Sequence, residues 1–355
     1  MGVSLLLACL KELLERSEVN VSPSKSAETA PVLCLTPFYH FSSDVPELVI
    51  DNGIRLCRFD KYETVLFDEE VVKHLQMHQP DYLLWHDLLL SGDVFVDDFL
   101  PLFDKQRINE FIPFYINSSR KLFQLLRLFK PGRLRAGETF ILGKGKACES
   151  WATMASGRAS DMGLDFSMLA IESAPYVLNS REIPLLRAFR QNLLPLLRDM
   201  SSFPAAELAL YLYGSENDKG FELVGAVTAF EALLTKKDEK EGLTYRLSMR
   251  IANLLGPNAE ARKEIFLTVK KFYNLRSNIV HGAQPGLNLP NLDQAVDLVR
   301  ETLRKVLLST MALFVAGVRP VDIPGLLDEL AFDDEKRRQV QATASSFLQL
   351  IAEKP

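Results

Sequence analysis

The chain lacks the residues that mark a disulfide or zinc protein. Cysteine occurs four times in 355 residues, at Cys9, Cys34, Cys57 and Cys148, and no two stand in a CxxC spacing. That excludes a disulfide framework and a zinc knuckle, and it fits reduced thiols in a cytoplasmic protein. Uninterrupted apolar runs of membrane-spanning length are missing. The apolar stretch after Met1 has no basic lead and meets Lys11 and Glu12 at once, so it reads as an amphipathic helix rather than a signal peptide. Leu6 breaks the myristoylation pattern. Gly143-Lys-Gly-Lys146 lacks the spacing of a phosphate-binding loop. An excess of positive charge is also missing: the net charge of −5 argues against a general nucleic-acid coat.

Histidine is scarce, with five in the chain. Glu70, His74 and His78 follow at intervals of four, with His86 beyond, and this spacing can chelate a metal on one helix face. The His-Glu-x-x-His order is absent, and a polar helix face explains the run. No metal or cofactor is expected. No local Ser-His-Asp or Cys-His grouping is visible, and Trp85 and Trp151 read as core or interface residues.

What is present is an ordinary globular composition, 47% hydrophobic and 25% charged, in a chain long enough for two domains. Residues 20–30 form a Ser-rich linker. Strand patterns follow at Val32–Thr36 and Gly53–Phe59. Asp51-Asn52-Gly53 is a turn between Glu47–Ile50 and the latter, which predicts a hairpin. Residues 69–79 and 104–128 read as helices, and 133–148 and 168–178 as strands. After residue 180 only helical patterns remain, over 181–200, 204–213, 218–236, 242–255, 260–281, 291–316, 322–331 and 333–352. Pro204, Gly214, Gly220, Gly256-Pro257, Gly282, Pro285-Gly286 and Pro290 punctuate them. Leu292, Ala295, Val296, Val299, Leu303, Val306, Leu307, Leu313 and Phe314 make a core stripe at helical period. The expected fold class is α+β. A mixed α/β domain would occupy residues 1–180, and an all-α domain residues 181–355.

Charge is uneven. Residues 44–98 hold 13 acids against 4 bases, whereas 120–146 hold 8 bases and one acid. The basic segment carries Arg120, Lys121, Arg127, Lys130, Arg133 and Arg135 among Phe123, Phe129 and Phe140. It could face RNA, although such runs more often only solvate a surface.

In the helical half, three helices each place one ionisable group in an apolar stripe: Glu231, Arg250 and Arg276. Glu231 falls in a stripe of Phe221, Val224, Val227 and Leu234. Arg250 lies beside Leu243, Leu247, Ile251 and Leu254. Arg276 continues Ile265, Val269, Phe272 and Tyr273. A charge aimed at apolar neighbours needs a partner, so a buried network linking Glu231 to the arginines is expected. His281 is rotated roughly 140° from Arg276 around the helix, on a polar flank with Asn274, Ser277 and Asn278. It sits in the last turn, where the helix dipole favours a cation, with Gly282 as the C′ residue.

The ordered runs Ala229–Leu234, Leu243–Leu255 and Lys271–Gly282, ending in Tyr-x-x-Arg-Ser-x-Ile-Val-His-Gly, resemble the Apea-like branch of the HEPN superfamily. The resemblance covers about residues 181–316. It implies a helical bundle that dimerises and a metal-independent endoribonuclease site shared by two copies. Arg276 and His281 match the motif arginine and histidine, with Ser277, Asn278, Glu231 and Arg250 in supporting places. Ser277 stands where other branches carry Asn, Asp or His. A toxin or phage-defence role is implied, with RNA and a second copy as partners and a trigger at the N-terminal domain. The alternative is a catalytically silent module for RNA or nucleotide binding and dimerisation.

Overall fold

The computed structural model describes residues 29–51, 54–59, 73, 76, 80–91, 121–132, 134–144, 151–158, 176–198, 200–214, 219–239, 241–281 and 292–352. The expected N-terminal helix, most of the Ser-rich linker, His74, His78, Arg120, Arg133 and Gly282 lie outside them. So do the expected strand over 168–173 and most of the helices over 69–79 and 104–120. The described residues have an α+β architecture that divides into two compact units.

The first unit holds a mostly antiparallel sheet. Its strands are β1 (Thr29–Tyr39), β2 (Phe41–Ser42), β3 (Glu47–Asp51), β4 (Ile54–Arg58), β5 (Tyr82–Ser91), β6 (Arg135–Ala136), β7 (Glu138–Lys144), β8 (Trp151–Arg158) and β9 (Tyr176–Val177). The main sheet runs β3-β4-β5-β1-β7-β8, with β6 also on β1, and β2 pairs with β9 in parallel. The hairpin expected around Asp51-Asn52-Gly53 is β3–β4, with a register shift between Val49 and Asp51. Alternation on β4 buries Ile54 and Leu56 and leaves Arg55 and Cys57 half-buried, the period-2 signature of a strand with one face in the core. Phe38, Phe41, Phe123, Tyr82 and Tyr176 form an aromatic cluster in the core. Sequence reading missed β5 and β8. Tyr82, Leu83 and Leu84 are consecutive and all buried, so both faces of β5 are covered there and the run does not alternate.

The second unit is helical: α1 (Ile183–Arg198), α2 (Pro204–Gly214), α3 (Lys219–Leu234), α4 (Leu243–Leu255), α5 (Ala259–Val280), α6 (Leu292–Val315), α7 (Ile323–Glu329), α8 (Asp334–Ala344) and α9 (Ser346–Ala352). Every breaker read from the sequence in described residues falls at or beside an end of one of these helices. At Gly256 a Cβ would lie 2.6 Å from Arg262 Cγ and 2.8 Å from the Ala252 carbonyl, so only glycine lets α5 return this closely. Asn258 then caps α5 by accepting the Ala261 N–H at 2.8 Å. The expected stripe of α6 is buried at Val296, Val299, Leu303, Val306, Leu307 and Leu313. α6 touches α2, α3, α4, α5, α8 and α9, making it the central helix. Among the described residues no helix is long and apolar enough to cross a membrane.

The unit boundary differs from a cut at residue 180. Residues 124–131, the C-terminal part of a helix over 121–129, belong with the helical unit, and the other crossing lies between Ile183 and Pro184. This corrects the basic-surface expectation at Arg127. Its side chain is buried and donates to the Gly214 carbonyl, while its own carbonyl accepts from Tyr213 Oη at 3.1 Å. Arg304 donates to the Leu128 carbonyl at 2.9 Å, so the end of that helix is capped from within the bundle. Lys121 and Lys130 are half-buried. Arg135 lies in β6, opposite Tyr39.

The expected ionic network exists with different members. Arg250 is fully buried, and all five of its N–H donors are used. Two go to Glu239 at 2.6 Å, two to Asp328 at 2.7 Å and one to the Leu234 carbonyl at 2.6 Å. Its partners are therefore the α3–α4 turn and α7, not Glu231. The phase of α3 also differs. Phe221 is 69% exposed, whereas Leu223, Ala226, Val227, Phe230, Leu233 and Leu234 are buried. The buried acid of α3 is Glu222, paired with Arg300 at 3.3 Å, and Glu231 is half-buried on the flank. Apolar residues surround much of this helix, so its sequence alone does not fix which side faces in.

Arg250→Ala removes the buried cation of Glu239 and leaves it only the exposed Arg246 at 3.1 Å, and the expected loss is about 3–5 kcal/mol in urea unfolding. A loss below about 1 kcal/mol would contradict the network's importance. Hydrogen bonds from Arg250 hold the Glu239 carboxyl at about 2, below its ordinary 4.5, against the opposing effect of burial. A depressed carboxylate stabilises fully above its unfolded pKa and loses that contribution as pH falls through the folded one. Wild type should therefore lose stability between about pH 4.5 and pH 2, and Glu239→Gln should flatten that part of the profile.

Candidate active site

α5 carries the site residues. Val269 and Phe272 are its fully buried anchors, and Arg276 follows Phe272 by four residues on the same side. Arg276 is half-buried. Its Nε is buried and has no hydrogen-bond partner. The expected tie to Glu231 is absent: among the described residues no acid lies within 4.0 Å of the guanidinium. Arg276 instead places its Cζ 5.9 Å from the ring centre of Tyr273.

Tyr273 reads from the sequence as a core aromatic, but it is half-buried, with the Arg276 guanidinium beside its ring. Burial raises the Tyr273 pKa, and the Glu231 charge and its hydrogen bond to the phenol raise it further, while Arg276 and Thr244 act in the opposite direction.

His281 is the C-cap of α5 and is exposed. Its backbone N–H donates to the Ser277 carbonyl at 3.0 Å, which closes the last turn. Ser277 is half-buried and Asn278 exposed. One copy thus offers a half-sunken guanidinium and, on another flank, an imidazole open to solvent. Arg250 lies apart from this role, committed to its own network.

A cleft of about 370 Å³ opens beside these groups. It is lined by Gly242, Leu243, Thr244, Tyr245, Phe266, Lys270 and Tyr273. Phe266, Lys270 and Tyr273 stand at i, i+4 and i+7, on one face of α5. Tyr245 is 62% exposed on α4, with its ring edge-on to Phe266 at 5.5 Å. The signal was present in the sequence as an aromatic–lysine stripe outside the core stripe. Among the described residues no group of His, Cys, Asp and Glu could hold a metal ion.

Comparison of the chain with family models, with curated proteins and with solved structures found no match.

Proposed function

We propose that the protein is a metal-independent endoribonuclease whose active site is completed by a second copy of the chain. One observation carries this reading: Arg276 is half-sunken, and among the described residues its buried Nε has no partner and no acid neutralises it, while the same helix ends in an exposed histidine. A buried donor without a partner costs stability. Such a cost is repaid by function when an anion arrives to accept the hydrogen bond. The phosphate of an RNA strand is such an anion.

The chemistry follows from two side-chain types. An imidazole takes the proton of the ribose 2′-hydroxyl, whose oxygen attacks phosphorus. The guanidinium binds the crowded phosphate as negative charge builds on its oxygens. The bond to the 5′-oxygen breaks, and a protonated imidazole donates to that leaving oxygen. Products are a 2′,3′-cyclic phosphate and a free 5′-hydroxyl, with no oxidant, metal or cofactor required. Base and acid must be different imidazoles in one turnover. Each chain brings one His281 to its α5 end, so the pair comes from two chains. The half-buried and exposed apolar residues along α5, Ile265, Leu267, Leu275, Ile279 and Val280, fit a helix with a further surface to cover. A toxin or defence role for such an activity stays with this proposal.

Purified protein in EDTA should cut single-stranded RNA and leave cyclic-phosphate ends. His281→Ala and Arg276→Ala should each cut at least about 100-fold more slowly. A His281→Ala variant that cuts as fast as wild type would overturn the assignment. RNA binding without any cleavage by wild type would favour the silent binding module.

A further inference from the structure

The cleft between α4 and α5 has a composition unlike that of a core void. Its walls carry three aromatic rings (Tyr245, Phe266 and Tyr273), one lysine and the Thr244 hydroxyl. Tyr245 is well exposed, Phe266 half-buried and Lys270 exposed. An exposed aromatic side chain next to a half-buried ring offers a π-face to a planar group. A lysine one turn along the helix offers a cation. Rings with an adjacent cation match a nucleotide, which carries a flat base and a phosphate a few bonds apart.

The position of the cleft is as telling as its lining. Around α5, Phe266, Lys270, Tyr273, Ser277 and His281 follow at steps of four, three, four and four. All five therefore lie along one stripe of the helix. At about 1.5 Å of rise per residue, His281 stands about 12 Å beyond Tyr273 and about 16 Å beyond Lys270. Arg276 flanks this stripe beside Tyr273. A ligand seated in the cleft and extended along α5 would meet Tyr273, pass Arg276 and end at the imidazole.

The geometry points to the cleft as a nucleotide subsite of an RNA strand. One base stacks on the exposed Tyr245 ring with Phe266 against its edge, its phosphate is neutralised by Lys270, and the strand follows the stripe to His281. This inference rests on the ribonuclease reading for the identity of the strand, but the cleft itself is a binding site whether or not the strand is cut. The occupied subsite fixes which phosphodiester reaches His281. Tyr245 and Lys270 are thus binding and register residues, without a part in proton transfer.

The test separates binding from cleavage. The probe is a short single-stranded RNA oligonucleotide with 2′-O-methyl groups throughout, which removes the attacking hydroxyl. Its affinity is measured by fluorescence anisotropy for wild type, Tyr245→Ala and Lys270→Ala over a range of salt. Both positions are exposed, so the variants keep the fold, and circular dichroism checks this. Tyr245→Ala should weaken binding about tenfold, as loss of one stacked base does. Lys270→Ala should lower the slope of log affinity against log salt by about 0.7. If both variants bind like wild type, the subsite is overturned even if the protein cuts RNA. If both weaken binding but wild type cuts no unmodified RNA, the subsite stands and the ribonuclease reading falls. If wild type does not bind the probe at all, the subsite is overturned.

Discussion

Two arginines in the same bundle face opposite conditions, and the helical unit depends on the first. Arg250 is fully buried with every donor used, between the end of α3, the α3–α4 turn and α7. Burial works against its charge, but the hydrogen bonds of Glu239 and Asp328 outweigh that and raise its pKa further. A guanidinium satisfied this completely fixes the elements that hold its acceptors. The turn that carries Glu239 leads directly into Gly242, Leu243, Thr244 and Tyr245. The wall of the cleft opposite α5 is therefore set by an ion network that does not itself face the cleft.

Arg276 is the contrasting case. Among the described residues it lies beside the Tyr273 ring rather than a carboxylate. This arrangement keeps a cation half-sunken without neutralising it. A direct Glu231–Arg276 pair would have been more stable locally and would have closed the site to an external phosphate. The α5 helix thus combines two core anchors, Val269 and Phe272, with a guanidinium held open, an exposed aromatic–lysine stripe and a terminal imidazole.

Much of this was legible in the sequence because helix ends are written in local chemistry. Gly256, Asn258 and Pro204 mark their boundaries through glycine geometry, side-chain capping and proline's restricted backbone, and each effect acts within a few residues. The β3–β4 hairpin was legible for the same reason. Strand β5 was not, since a strand covered on both faces reads as an unpatterned apolar run. The partners of Arg250 and Glu222 were not legible either. Asp328 lies 78 residues from Arg250, and Arg300 lies 78 from Glu222, and no local rule reaches that far. The burial phase of α3 failed because apolar residues occupy more than one of its faces, so Phe221 read as core. At the candidate site, Arg276 and His281 were visible as a pair. Tyr273 was hidden because its ring looks like one more core aromatic until it is seen to line the cleft beside Arg276.

The central claim is that Arg276 is held ready for a phosphate. Its side-chain Nε–H is the most direct reporter, because that group has no partner among the described residues. The decisive measurement is a proton–nitrogen correlation spectrum of the arginine side chains, with and without a non-cleavable single-stranded RNA. The account predicts that the Arg276 Nε–H resonance shifts and its solvent exchange slows on RNA binding, while that of Arg250 stays unchanged. RNA binding that leaves the Arg276 resonance unmoved would contradict it.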